Sequence, residues 1–346
     1  MPSFHSLKVA QIKPSAKEAV VLSFKVPEPL KDTFSFTPGQ YITLEAEING
    51  SSVRRSYSLC STPNEETLRV GVKKVDQGVF STYIYESLKV GKTLAVSAPE
   101  GRFIYNPEKY GKPILAVAAG SGITPIFSIL KTFLKENNTS SFTLIYGNKS
   151  PEQTMFYEEL KALESKHPEQ LKIHWVFSQT SLEGTLFGRI TPSVINFVLN
   201  EEKALPAYAF LCGPESLIIS TSEQLQRKGM TDEAIHFELF TPSNEQKEIE
   251  NKVSAGQLSI TCDEVTHALA LAPNKTLLEL ALDAHLEVPY SCQGGVCSSC
   301  IARIKEGKAS MLSNQILTDD EIDQGLILSC QAVAESETIH LDYDDV

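Results

Sequence analysis

The sequence predicts a multidomain chain in three parts: an antiparallel β-barrel, an α/β domain on a parallel sheet, and a small β-rich α+β domain. Three observations predict it. Residues 7–98 alternate short β-rich runs with turns marked by Gly and Pro, and no long helical period interrupts them. From Pro113 the rhythm changes to strand, helix, strand, which points to a parallel sheet with crossover helices. Residues 241–255, TPSNEQKEIENKVSA, are polar and aperiodic and read as a linker into a last, compositionally distinct segment. A chain of 346 residues is also too long for one ordinary core.

Each element follows from its local pattern. The barrel strands are LKVAQI, AVVLSFKV, QYITLEAEI, RRSYSLC, TLRVGVKKV and TLAVSA, punctuated by Pro38-Gly39, Asn49-Gly50 and Gly91. In the middle part PILAVAA leads to a helix near 124–136, and SFTLIYG to one near 153–165. LKIHWVFS leads to a helix near 191–199, AYAFLCG to one near 214–228, and IHFELF reads as an amphipathic last strand. After the linker, QLSITC and THALALA suit a hairpin, TLLELALDAHL a helix and IARIKEG a strand. The boundaries are 1–108, 109–240, 241–255 and 256–346.

Composition narrows the function classes. A hydrophobic content of 42% with 21% charged residues describes a globular protein. The start, MPSFHSLKVAQIKP, lacks the basic patch and apolar run of a signal peptide. The stretch PILAVAAGSGITPIFSIL is broken by Gly120, Gly122 and Pro125, so it reads as strand, loop and helix rather than a membrane span. Cytoplasm is therefore expected, and structural disulfides are not. The net charge of −12 is uneven: residues 256–346 hold four basic against fifteen acidic residues, and the rest of the chain is nearly neutral. That balance argues against nucleic-acid binding and for a basic partner or a solvated surface.

The acidic segment also holds the densest chemistry. SCQGGVCSSC places Cys292, Cys297 and Cys300 in an x4, x2 spacing, with Cys330 farther on. This is the plant-type spacing for a two-iron cluster, which needs four thiolates to complete two tetrahedra beside bridging sulfides. Gly294 and Gly295 let the backbone wrap closely, because glycine tolerates positive φ. Structural zinc, which usually takes two separated short-spaced cysteine pairs, stays as the alternative. Cys262 has no matching partner and reads as a core residue.

Upstream, Arg55-Ser56-Tyr57-Ser58 ends a predicted strand, and alternation sends Arg55 and Tyr57 to one face and Ser58 to the other. Gly78-Val79-Phe80-Ser81-Thr82 precedes the helix-like YIYESL. Such a turn offers free amides to a phosphate, or else is a plain N-cap at Ser81. Ala119-Gly120-Ser121-Gly122-Ile123-Thr124-Pro125 follows the first strand of the α/β part, where a dinucleotide approaches the backbone, although it is not the G-x-G-x-x-G fingerprint. Cys212-Gly213-Pro214 ends the fourth strand there, and Ile235-His236-Phe237-Glu238-Leu239-Phe240 closes the domain.

Taken in this order, the motifs resemble the ferredoxin–NADP reductase superfamily with a fused C-terminal plant-type ferredoxin domain, and within it the oxygenase reductases of phenylacetyl-CoA epoxidase type. The resemblance implies an FAD-binding barrel, an NAD(P)-binding α/β domain and a β-grasp-like ferredoxin domain. By resemblance, Arg55 pairs with the flavin pyrophosphate, Tyr57 lies on the isoalloxazine and Ser58 bonds near its N5, with 78–82 on the phosphates and Phe240 over the ring. It likewise implies that residues 120–125 and 212–214 hold NAD(P)H, with Cys212 a packing residue, and that Glu238 shapes the hydride-transfer site with Tyr57 and Ser58. Cys292 and Cys297 would hold one iron, Cys300 and Cys330 the other.

The implied function is electron transfer from NAD(P)H through FAD to the cluster and on to an oxygenase component that docks on the acidic domain. Electron counting supports the order: nicotinamide yields a pair, the cluster takes single electrons, and a flavin accepts pairs and releases singles. Ser178-Gln179 departs from the Ser-Arg of NADPH-preferring relatives, removing the usual fork for a 2′-phosphate, for which Lys149 is a substitute. Two other readings are a same-build reductase for a steroid or aromatic hydroxylase and a non-redox, zinc-stabilised interaction protein.

Overall fold

In the computed structural model the described residues are 4–110, 112–136, 140–202, 205–240, 253 and 255–346. The chain divides into two compact units, Phe4–Phe240 and Thr241–Val346. The predicted linker, 241–255, lies outside the described residues except for Val253 and Ala255.

The first unit opens with strands β1 (His5–Ala16), β2 (Ala19–Lys25), β3 (Tyr41–Ile48), β4 (Ser51–Ser58), β5 (Thr67–Lys73) and β6 (Thr93–Val96). They form one antiparallel sheet in the order β4-β3-β6-β1-β2-β5. Strand β1 serves both halves: His5–Lys8 pair with β6, and from Val9 the strand pairs with β2 through a register shift between Val9 and Gln11. The two edges meet where Leu59 bridges Val70 and the Cys60 amide donates to the Arg69 carbonyl at 2.8 Å, which closes the barrel. Asn49 and Gly50, with φ of 53° and 79°, make the two-residue β3–β4 turn that Asn-Gly favours. The inward side chains, among them Leu7, Leu22, Phe24, Ile42 and Val70, are buried in one cluster.

The short helix α1 (Val79–Thr82) runs into a wider turn at Tyr83–Ser87. Its N-cap is Gly78, not Ser81. Ser81 sits inside the first turn, where its Oγ accepts from the Val75 amide at 3.1 Å and so ties the preceding loop to the helix. The N-cap reading of Ser81 is corrected accordingly.

The second half of this unit is a parallel sheet of β7 (Ile114–Ala119), β8 (Phe142–Asn148), β9 (Leu171–Phe177), β10 (Leu186–Phe187), β11 (Tyr208–Gly213) and β12 (Ile235–Leu239). Its order is β10-β9-β8-β7-β11-β12. The connecting helices are α2 (Ile123–Glu136), α3 (Tyr157–Lys166), α4 (Pro192–Glu201) and α5 (Glu215–Arg227). Thr191 caps α4 by accepting from the Val194 amide, and Pro192 fills the first helical position, where no N–H is needed. The strand order reverses at β7, so the loops leaving β7 and β11 part there and open a crevice at the carboxyl ends of the strands.

Barrel and α/β sheet are joined by fitted contacts. A Cβ on Gly71 of β5 would lie 2.7 Å from both Thr124 Cγ2 and Met155 Cε, so a side chain has no room there. Ser128 Oγ of α2 donates to the Ser61 carbonyl at 2.6 Å, and both residues are buried. Lys131 Nζ donates to Glu65 Oε1 at 2.6 Å while lying over the Phe127 ring.

The other unit contains β13 (Gln257–Cys262), β14 (Val265–Ala270), β15 (Ile301–Glu306), β16 (Ala309–Met311), β17 (Leu326–Leu328), β18 (Ala332–Ala334) and β19 (Thr338–Asp342). The sheet order is β14-β13-β19-β15-β17, with β16 and β18 as a separate ribbon. Helix α6 (Leu277–Asp283) starts at a Thr276/Glu279 capping box and turns Leu277, Leu278, Leu280 and Ala281 into the core. A second capping box, Thr318/Glu321, starts the short acidic helix α7 (Asp319–Asp323). The hairpin β13–β14, helix α6 and strand β15 match the sequence pattern. Strands β16 to β18 and α7 are too short to leave one, and β19 is not among the expected strands. Cys262 is half-buried at the end of β13, packed against the core rather than inside it. Among the described residues no helix is long and apolar enough to cross a membrane.

Candidate functional site

Four separate sequence segments converge at the crevice beside β7. Gly120–Gly122 form a single tight turn, with Gly120 at φ 56°, and α2 begins directly after it. Tyr146 on β8 fixes this turn by donating to the Gly120 carbonyl at 2.9 Å, and Thr124 Oγ1 donates to the Ser121 carbonyl at 3.0 Å. Gly122 lies against the next segment: a Cβ there would fall well inside van der Waals distance of the Cys212 carbonyl and 3.0 Å from the Gly213 amide. Ile123, Thr124 and Pro125 are buried in the first turn of α2, while Ser121 is half-buried at its mouth. Cys212 and Gly213 finish β11, and exposed Pro214 starts α5. Cys212 is fully buried and its thiol is pushed far up by burial, which suits packing and not nucleophilic chemistry.

The third segment is β12. Its register sets Glu238 directly beside Cys212, so the carboxyl enters the interior at the end of the sheet. Ser58, the buried last residue of β4, comes from the barrel and donates its Oγ to Glu238 Oε2 at 3.1 Å. Burial pushes the Glu238 carboxyl up to about 8, with the Ser58 bond working weakly in the other direction. The resemblance puts these residues at one site, and the hydrogen bond between them joins barrel to sheet.

Around Ser58 the strand alternation holds. Arg55 and Tyr57 pair with Leu44 and Ile42 of the barrel's inner face, Arg55 exposed and Tyr57 half-buried, whereas buried Ser58 takes the opposite face. Tyr57 lies 6.1 Å from Phe80, ring centroid to centroid, and burial raises its hydroxyl. Phe80 and Ser81 are buried in α1, Val79 is half-exposed, and Gly78 and Thr82 are half-buried at its ends. Phe240, partly exposed, ends the described part of this unit. After β9, the Gln179 amide donates to the Lys149 carbonyl at 2.9 Å, so these two exposed residues lie side by side.

The other unit gathers its cysteines into two pairs. The thiols stand in two interacting pairs, Cys292 with Cys297 and Cys300 with Cys330. The loop turns amides onto them: those of Gly294, Val296 and Cys297 point at the Cys292 sulfur, with Gly294 N at 3.4 Å. The Cys297 thiol and these amides pull the Cys292 thiol below its ordinary value. Gln293 and Gly295, at φ 53° and 73°, make the turns that aim the amides inward. Cys297, Cys300 and Cys330 are buried, and Cys292 is half-buried at the edge of the group. Two thiol pairs, the first met by backbone donors, fit the thiolates of an iron–sulfur cluster, whose charge those donors offset.

Comparison with known proteins agrees with this layout. Residues 6–105 match the oxidoreductase FAD-binding domain, 116–223 the oxidoreductase NAD-binding domain, and 260–335 the 2Fe-2S iron-sulfur cluster binding domain. The chain is 38% identical to one of the subunits of 1,2-phenylacetyl-CoA epoxidase of Escherichia coli (strain K12), over 99% of both chains. It is 30% identical to the ferredoxin reductase component of 3-ketosteroid-9-alpha-monooxygenase of Rhodococcus rhodochrous, over 97% of this chain and 96% of that one. Among solved structures, phthalate dioxygenase reductase aligns with a TM-score of 0.61 and 25% identity over 98% of each chain. The chain therefore belongs to the ferredoxin–NADP reductase superfamily, in the family of fused FAD- and 2Fe-2S-containing oxygenase reductases that includes the matching phenylacetyl-CoA epoxidase component.

Proposed function

We propose that the chain is the reductase of an oxygenase system, carrying electrons from NAD(P)H through FAD to a two-iron cluster and on to an oxygenase component of phenylacetyl-CoA epoxidase type. The observation that carries the reading is the two thiol pairs, the first met by backbone amides, in a chain that aligns end to end with a component of that epoxidase. The division at 108 and 240, with 241–255 as linker, is part of the proposal and is supported by the ranges of the three matched domains. The compartment proposed is the cytoplasm, where thiols such as the four assigned to the cluster stay reduced.

In this reading Arg55 and residues 78–82 bind the flavin phosphates, and Tyr57, Ser58 and Phe240 border its ring. Residues 120–125 and 212–214 receive the nicotinamide nucleotide. Cys292, Cys297, Cys300 and Cys330 hold the irons. The bound groups supply hydride and single-electron chemistry; the protein positions them and excludes water. Glu238, kept neutral by burial, lets Ser58 hold a fixed hydrogen bond without bringing a negative charge to the place where hydride arrives.

That neutrality has a pH signature. The folded carboxyl binds its proton more tightly than the ordinary 4.5, so the contribution to stability is full below about 4.5 and lost as pH rises through about 8. NAD(P)H-driven flavin reduction is expected to slow over the same upper limb, and Glu238→Gln to flatten that limb. If variant and wild type fall together above pH 8 in stopped-flow reduction, Glu238 is not the titrating group.

The acceptor is proposed to dock on the acidic second unit, supported by its four basic against fifteen acidic residues over 256–346. The test of the whole reading is one anaerobic experiment. Purified protein should carry about two irons and one flavin, and NAD(P)H should bleach the flavin and then produce the signal of a reduced two-iron cluster. Electron delivery to the oxygenase component should then slow as ionic strength rises. Colourless, zinc-bearing protein ends the redox reading, and salt-independent delivery ends the docking surface.

A further inference from the structure

A buried hydroxyl chain runs behind the Cys300/Cys330 pair. Tyr343, just past the end of β19, donates its hydroxyl to Ser329 Oγ at 2.8 Å. Ser329 Oγ directs its own proton to the Cys300 carbonyl at 3.0 Å, and the Ser329 amide donates to the same oxygen at 3.0 Å. Ser329 immediately precedes Cys330, so one side chain ties the backbones of two cysteines that are thirty positions apart in sequence. The whole arrangement is buried: Ser329 is 0% exposed, Cys300 1%, Cys330 5% and Tyr343 5%. The far end is anchored as well, because the Tyr343 amide donates to the Thr261 carbonyl of β13 at 2.9 Å.

We propose that Tyr343, acting through Ser329, is a positioning residue that sets the geometry and reduction potential of the iron held by Cys300 and Cys330. The inference rests on the cluster reading above. Two physical arguments carry it. A serine hydroxyl has one proton and two acceptor sites, and the tyrosine proton occupies an acceptor site, which leaves the serine proton committed to Cys300. The chain is therefore directional. Its two O–H dipoles also align with their positive ends toward Cys300. In a buried site hydrogen-bonded groups polarise one another, and dipoles of this sense favour the more negative, reduced cluster.

The test uses the whole chain with its cluster loaded. Tyr343→Phe keeps the ring and removes only the hydroxyl, and Ser329→Ala and Ser329→Thr remove and restore the link. Spectroelectrochemical titration is expected to give a more negative cluster potential for Tyr343→Phe and Ser329→Ala, with an altered electron paramagnetic resonance signal. Ser329→Thr should return both toward wild type, and the flavin potential should stay unchanged throughout. If Tyr343→Phe and Ser329→Ala keep the wild-type cluster potential and signal, the proposal is overturned, whatever they do to melting temperature. Should Tyr343→Phe fail to fold, the Ser329→Ala and Ser329→Thr pair decides on the same readouts. A wild-type protein that shows no cluster signal defeats the underlying reading instead, so the two failures are distinguishable.

Discussion

Cys330→Ser is expected to abolish electron delivery to an oxygenase component while NAD(P)H still reduces the flavin at its wild-type rate. The first half follows from chemistry. Cys330 is buried between β17 and β18 and its sulfur pairs with that of Cys300. Serine at this place offers a neutral, harder oxygen on a shorter bond, with one of four thiolates gone. Changes to residues that only support metal ligands already cost about 10–100-fold in metal affinity or activity. Removing a ligand should exceed that range and leave delivery at background. The second half follows from the architecture, because Cys330 belongs to the core of the second unit, whereas Ser58, Gly122, Cys212 and Glu238 lie in the first. Iron content, the reduced-cluster signal and stopped-flow flavin bleaching measure the three parts separately. Delivery that survives the substitution would mean that the fourth ligand lies elsewhere.

How much of this was legible in the sequence depends on where each feature's information lies. The barrel and the parallel sheet were readable because their strands are long enough to show a pattern and are set apart by turn residues such as Asn49-Gly50. The two-iron reading of the cysteine loop rests on its x4, x2 spacing, the plant-type pattern. At Ser81 the sequence leaves a phosphate turn and a plain N-cap both open, and only the bond from the Val75 amide shows which turn it stabilises. Strands β16 to β18 have three residues each, too few for periodicity. Hydrogen bonds across long separations left no local trace at all. Ser58 and Glu238 are 180 positions apart, and only the family resemblance, not the local pattern of RSYS or HFELF, puts them at one site. The Tyr343 hydroxyl was equally invisible, since no local pattern shows its burial or its partner Ser329.

Gly122→Ala is expected to cripple NAD(P)H-driven reduction while leaving FAD bound and the cluster reducible by dithionite. The backbone at Gly122 is not in the left-handed region, so conformational strain is not the cause. The cause is contact. An added methyl group would drive into the Cys212 carbonyl and lie 3.0 Å from the Gly213 amide, and both are backbone atoms of a central strand that cannot swing aside. Relief requires the 120–122 turn to lift from β11, or β11 to shift against its neighbours β7 and β12. Overpacking of this kind typically costs about 1–3 kcal/mol. The turn is the cheaper part to move, because its own anchors are the single bonds from Tyr146 and Thr124. Moving it displaces the very amides proposed to receive the nucleotide. A misplacement of about 1 Å is enough to lower a hydride-transfer rate by roughly 100-fold. FAD binding, which is assigned to residues 55–58 and 78–82 on the barrel, should change little. The discriminating measurement is the NAD(P)H-driven rate set beside flavin content and dithionite reduction in the same preparation. A variant that binds FAD normally and turns over NAD(P)H at the wild-type rate would show that the nucleotide does not use the contact between these two segments.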